Sequence, residues 1–144
     1  MRIMTEKPNG SDRTLSDEES LIQGFLAPLA AGMPGAFGLA DDCAALTPPA
    51  GFDLVVKTDP ITAGIHFLAD DAPEDVAFKA VAVNASDIIA KGANPWAYLM
   101  ALSLPQAPTA DWARRFARGL AEAQTAFGCA LVGGDTDRGP GALG

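Results

Sequence analysis

The order of apolar segments predicts an α+β fold: a mixed β-sheet with helices packed on one face. Three observations lead there. Helical and strand-like periodicities alternate from about residue 15 onward, and several short strand-like runs crowd the first third. Of 144 residues, 49% are hydrophobic, enough to build the core of one domain. The fifteen glycines and eleven prolines fall between apolar runs, so they read as turns rather than as disorder.

Residues 1–14 are polar and read as a flexible arm, leaving 15–144 as the domain. "LSDEESLIQGFLAPLA" predicts a helix. Ser16 and Glu19 have capping-box spacing, and Asp17 and Glu18 suit the positive end of the helix dipole. Leu21, Ile22, Phe25, Leu26 and Leu29 share a stripe, and "AGMPGAFG" ends the helix. "CAALTPP" predicts a short strand closed by Pro48 and Pro49. "FDLVVKTD" predicts a second, buried on both faces because its centre is continuously apolar. "ITAGIHFL" fits either a third strand or an irregular loop. "APEDVAFKAVAVNASDIIAKGANP" carries Pro73 in its first turn, Glu74 and Asp75 behind it, and Gly92 as its stop, which predicts a long helix. "WAYLMALSLP" predicts a strand ended by Pro105. "TADWARRFARGLAEAQTAFG" predicts an amphipathic helix capped by Thr109 and stopped by Gly128. "CALVGGDTDRGPGALG" predicts a buried strand running into a glycine-rich turn.

Composition narrows function. A net charge of −8 argues against a nucleic-acid surface, although divalent cations can still bring acidic groups and phosphates together. The polar start lacks the apolar core of a signal peptide, and no apolar run is long enough to span a membrane. The expected location is therefore cytoplasmic. Cys43 and Cys129 are too few and too far apart for a disulfide framework or zinc site, and small buried thiols are expected.

Four acidic features stand apart from ordinary surface charge: Asp41-Asp42 at the entry to a strand, Asp59 at a strand end, Asp87 inside a helix, and Asp135 after "LVGG". Each has a plain alternative: Asp41-Asp42 as an Asx turn, Asp87 as a solvated position, "GGD" as a turn, His66 as a structural histidine. Together they point to chemistry. Two carboxylates about 4 Å apart at an effective dielectric near 20 repel by roughly 4 kcal/mol, which a cation relieves. All-oxygen donors without a Cys/His cluster favour Mg²⁺ or Ca²⁺. Asn84 and Asp87, three apart, share a helix face. Gly133 and Gly134 allow close backbone approach and can aim N–H groups at an anion, and Arg138 could add a cation for phosphate. No Walker A, HRD or DFG pattern occurs, so a nucleotide site here would be of another kind.

The segments "DDCAAL", "KTDPITAGIHF", "KAVAVNASDIIAKGANPWAYLMALSLP" and "GGDTDRGP" together resemble the thiamine-monophosphate kinase family, in its order and at compatible spacing. Its broader superfamily includes aminoimidazole ribonucleotide synthetase, selenophosphate synthetase and a hydrogenase-maturation protein, all users of ATP. The resemblance implies transfer of the γ-phosphoryl group of ATP to thiamine monophosphate. It implies Mg²⁺ ligation by Asp42, Thr58, Asp59, Asp87 and Asp135, ATP contacts from Gly134 and Asp135, and a thiamine monophosphate contact from His66. It implies direct transfer with no catalytic nucleophile, and an N-terminal domain of the aminoimidazole ribonucleotide synthetase-like fold whose strands join a second subunit's in a dimeric barrel. Lys57 departs from the pattern, which commonly has a small hydroxyl residue there; a lysine could instead reach a phosphate. The family also has a further domain beyond the position of Gly144, so a truncated chain with little activity of its own is expected. The alternatives are another ATP-dependent member of the superfamily and a non-catalytic dimerisation module.

Overall fold

The structure, a computed structural model, describes residues 13–144. The arm expected over 1–14 therefore lies almost wholly outside the described residues. Its last two residues are tied down: Thr14 bridges Thr109, and the Arg13 carbonyl accepts from the Ala110 N–H at 2.7 Å.

Helix α1 (Glu18–Leu21) begins one residue later than the capping-box spacing implies. Asp17 is the cap. Its carboxylate accepts from the Ser20 N–H at 2.7 Å, and the Ser16 hydroxyl donates to its other oxygen at 2.7 Å. An ionised acceptor bonds an orphan N–H more strongly than a hydroxyl does, so Asp17 takes the role expected of Ser16. The predicted single helix is then broken into a π turn over Ile22–Leu26 and a 3₁₀ turn over Ala27–Ala30. Gly24 lies in the first and Pro28, which lacks an N–H, in the second. A further 3₁₀ stretch spans Pro34–Leu39.

Helix α2 (Pro73–Ala90) and helix α3 (Ala110–Phe127) form as the sequence predicts. Pro73 occupies the first turn of α2, and the Thr109 hydroxyl accepts from the Trp112 N–H at 3.1 Å to cap α3. The two helices pack closely where Gly119 faces the start of α2. A Cβ there would lie 2.1 Å from the Glu74 carbonyl oxygen. Glu74 also accepts from Arg115 at 2.8 Å and from Arg118, stitching the same crossing.

Strands β1 (Ala97–Leu104) and β2 (Ala130–Arg138) pair in parallel, with α3 as the crossover between them. The register shifts by one residue between Tyr98 and Leu99. Leu102 and Leu104 point into the core with Leu131, Val132, Phe116 and Leu120, whereas Leu99 stays exposed. Helices and a small sheet together make the expected α+β fold, but the sheet is purely parallel rather than mixed, because the segments expected to add further strands do not pair. A smaller core of Ile61, Phe67 and Val76 lies on the other side of α2.

The expected strands over "CAALTPP" and "FDLVVKTD" do not form. A strand needs a partner edge, and among the described residues these segments have none. Leu54, Val55 and Val56, expected to be buried on both faces, are instead exposed, as is Phe52. "ITAGIHFL" is the irregular loop rather than the strand. It is closed by an Ala63–Phe67 bridge and by the Gly64 N–H bonding the Phe67 carbonyl at 2.8 Å. Cys43 is exposed rather than buried; Cys129 is partly buried, which pushes its thiol pKa up. No described helix is long and apolar enough to cross a membrane.

Candidate functional site

One face of α2 carries Val76, Lys79, Ala80, Val83, Asn84 and Asp87 at helical spacing. Val76 belongs to the smaller core, which Ala80 and Val83 pack against, and this holds residues 59–67 against the helix. The polar members of the face then meet the polar residues of "KTDPITAGIHF".

Asn84 makes the principal link. Its side-chain oxygen accepts from the Asp59 N–H at 2.8 Å, and its amide nitrogen donates to the Asp59 carbonyl at 3.0 Å. The same nitrogen donates to the Ala80 carbonyl at 3.0 Å, which fixes the amide on its own helix. Both backbone groups of Asp59 are therefore clamped to α2, one helical turn before Asp87.

Lys57 joins the two carboxylates. Its Nζ lies 2.7 Å from Asp59 Oδ2 and 2.9 Å from Asp87 Oδ2. Hydrogen bonds to Asp59 first, and to Asp87 second, hold the lysine pKa above its usual value. The expectation that Lys57 would reach toward phosphate is not what the geometry gives: its ammonium is spent on Asp59 and Asp87.

Beside this trio opens a cleft of about 460 Å³, lined by Asp59, Pro60, Ile61, His66, Lys79 and Val83. His66 Nδ1 accepts from the Thr62 N–H at 3.0 Å, so that nitrogen is unprotonated and Nε2 carries the hydrogen. The Lys79 ammonium donates to the His66 carbonyl. His66 and Lys79 thus share one wall region of the cleft.

The remaining expected residues gather around β2. Gly134 sits at φ +130°, where a Cβ would lie 2.0 Å from the Met100 carbonyl oxygen, so the position requires glycine. Its N–H donates to the Asp42 carbonyl at 3.0 Å, which brings Asp42 to the strand next to Asp135. That N–H is occupied and does not point freely at an anion. Asp41 makes the Asx turn, accepting from the Cys43 N–H at 2.8 Å. Arg138 lies away from His66, in a separate groove with Asp17 and Glu18.

Direct contacts link the expected ligands in two sets: Asp59 with Asp87 through Lys57, and Asp42 with the strand that carries Asp135. Among the described residues, no three His, Cys, Asp or Glu side chains gather closely enough to hold a metal by themselves. Asn84, Lys57 and Lys79 are missing from the predicted ligand set. The Asn84–Asp87 spacing signalled the first; nothing in the sequence pattern signalled Lys79.

The family described as "AIR synthase related protein, N-terminal domain" matches residues 40–143. The chain belongs to this family. The AIR synthase related domain is 44% identical over 115 residues to the thiamine-monophosphate kinase of Caulobacter vibrioides, covering 80% of this chain and 33% of that protein. It is 45% identical over 103 residues to the thiamine-monophosphate kinase of Escherichia coli K12, covering 72% of this chain and 31% of that protein. Among solved structures, the thiamine-monophosphate kinase of Stenotrophomonas maltophilia K279a superposes with a TM-score of 0.66 at 42% identity, over 72% of this chain and 33% of that one. The structure of AaThiL complexed with AMPPCP and TMP gives a TM-score of 0.54 at 35% identity, over 58% of this chain and 27% of that one. The domain thus spans about a third of the length of these relatives.

Proposed function

We propose that this domain is the metal- and nucleotide-binding part of a thiamine-monophosphate kinase, which transfers the γ-phosphoryl group of ATP to thiamine monophosphate to give thiamine diphosphate. The observation that carries the reading is the Asn84 clamp, which places Asp59 beside Asp87 at the edge of the cleft containing His66. Relatives of that name at 44% and 45% identity support it, as does the structural likeness to a chain bound to AMPPCP and TMP.

The donors fit Mg²⁺: the carboxylates of Asp42, Asp59, Asp87 and Asp135 and the Thr58 hydroxyl are all hard oxygens. They are exposed, so phosphate oxygens and water can complete a coordination shell that no three side chains here fill. When bound, Mg²⁺ supplies charge neutralisation for the triphosphate of ATP. The chain's own residues do the positioning. Asn84 fixes the Asp59 backbone, Lys57 holds the two carboxylates together, and Gly134 with Asp42 sets the position of Asp135. His66 offers Nε2–H to the acceptor substrate, and Lys79 brings positive charge to the same cleft. The acceptor is itself a phosphate, already ionised at neutral pH, so orientation and charge matter more than a strong base.

A homodimer belongs to the same proposal. Phe52, Leu54, Val55 and Val56 form an exposed apolar run with no strand partner among the described residues. Pairing with a second copy would bury it.

The test is to incubate the whole protein with ATP, Mg²⁺ and thiamine monophosphate and measure thiamine diphosphate. Product formation is expected. Turnover of a different phosphate acceptor, with thiamine monophosphate inert, would contradict the substrate assignment.

A further inference from the structure

The geometry points to Lys57 as a built-in counter-ion that takes the place of one divalent cation between Asp59 and Asp87. The inference rests on the metal-binding reading above and sharpens it: this site takes up one metal ion fewer than the same carboxylates would without the lysine.

Both contacts are of charge-assisted length, 2.7 Å to Asp59 and 2.9 Å to Asp87. The burial is unequal. The Lys57 side chain is 23% exposed and each aspartate side chain 58%, so the lysine is the most enclosed member of the trio. A surface lysine with free choice of partners gains little from one ion pair. This one is held from two directions. Lys57 and Asp59 are two residues apart on one segment, and Asn84 ties that segment to α2 one turn before Asp87. The arrangement is therefore set by the backbone clamp rather than by a chance encounter of long side chains.

The atoms used matter as well. Lys57 meets Oδ2 of both carboxylates, and neither Oδ1 has a hydrogen-bond or ion-pair partner among the described residues. Two carboxylates and one ammonium leave a net charge of −1, so the Oδ1 oxygens still attract a cation. The position between the carboxylates, where a bridging ion would otherwise relieve the repulsion of the pair, is filled by the chain itself. Lys57 is thus a positioning residue.

The experiment counts bound Mn²⁺ by electron paramagnetic resonance on the whole, nucleotide-free protein. Lys57→Ser and Lys57→Met are each expected to bind one Mn²⁺ more than the parent, and Lys57→Arg the same number as the parent. A folded Lys57→Ser or Lys57→Met protein with the parent's count overturns the proposal, whatever its affinity. A measurement on the parent alone covers the case in which both variants fail to fold. The Lys57 ammonium resonance in ¹⁵N-lysine spectra is expected to keep its slowly exchanging, ion-paired character at saturating Mg²⁺. Its conversion to an ordinary solvated lysine signal on adding Mg²⁺ overturns the proposal too. A merely structural lysine would alter stability without adding a metal ion. Absence of kinase activity would remove the proposed reaction but leave the metal count to be read; equal counts would remove the lysine's role but leave the reaction standing.

Discussion

Replacing Asn84 by alanine tests how the fold makes the site. The substitution removes the three hydrogen bonds that join Asp59 and Ala80 to one amide. The two bonds to Asp59 are exposed and the one to Ala80 is partly buried, so water recovers part of the loss. At about 0.5 kcal/mol for each exposed bond, near the low end of the usual range, the two bonds that clamp Asp59 contribute about 1 kcal/mol, apart from the bond to Ala80. That corresponds to a fall in melting temperature of roughly 2–4 °C for a domain near this size. Without the clamp, Asp59 is no longer held a turn from Asp87, and Mg-ATP binding should weaken about fivefold if the same 1 kcal/mol appears in the binding equilibrium. Differential scanning fluorimetry and calorimetry with a non-hydrolysable ATP analogue measure the two effects. Asn84→Asp keeps the acceptor for the Asp59 N–H but loses both donors and adds a third negative charge, so it should bind the analogue more weakly than Asn84→Ala in the absence of Mg²⁺. If Asn84→Ala matches the parent in both melting temperature and affinity, the clamp does not organise the site.

Asp59→Asn and Asp87→Asn should each weaken Mg-ATP binding in calorimetry while leaving the far-ultraviolet circular dichroism spectrum unchanged. Gly134→Ala would force a Cβ to 2.0 Å from the Met100 carbonyl at a backbone angle that favours glycine, so β2 must shift. A loss of about 1–3 kcal/mol in denaturant unfolding is expected. Asp17 gives a pH test. Hydrogen bonds from Ser20 and Ser16 lower its pKa to about 2, so its folded-state value lies below the unfolded one. The stability it contributes is present above the unfolded pKa of about 3.9 and lost as pH falls through about 2. Asp17→Ala should therefore destabilise the protein near neutrality and flatten its acid unfolding curve between those values. An unchanged curve would remove the cap from the account.

Much of this was legible in the sequence. Pro73 and Gly92 bounded α2, Thr109 and Gly128 bounded α3, and apolar runs marked β1 and β2, because caps and periodicity act over a few residues. The capping box at Ser16 was misplaced by one position, since spacing alone does not say that Asp17 is the stronger acceptor. The strands over residues 43–59 were not formed for a different reason. "LVV" has the composition of a buried strand, but a strand is completed by a partner edge, and composition does not say where that edge is. In the site, the repeated Asp pattern marked Asp59 and Asp87, and their closeness followed from Asn84. The ion pairs of Lys57 needed three-dimensional placement: in one dimension a lysine beside an aspartate is no evidence of a bridge to a residue thirty positions away. Lys79 was silent because lysines are ordinary on an exposed helix face.

On the proposed reading, the carboxylates clamped to α2 bind the cations that accompany ATP. Crystals of the whole protein grown with Mn²⁺ and a non-hydrolysable ATP analogue would test it through the anomalous signal of manganese. Mn²⁺ is expected within ligand distance of Asp59 or Asp87 and of the analogue's phosphate oxygens, with His66 in the adjoining cleft. Nucleotide bound with its Mn²⁺ elsewhere, and both carboxylates free of metal, would contradict it.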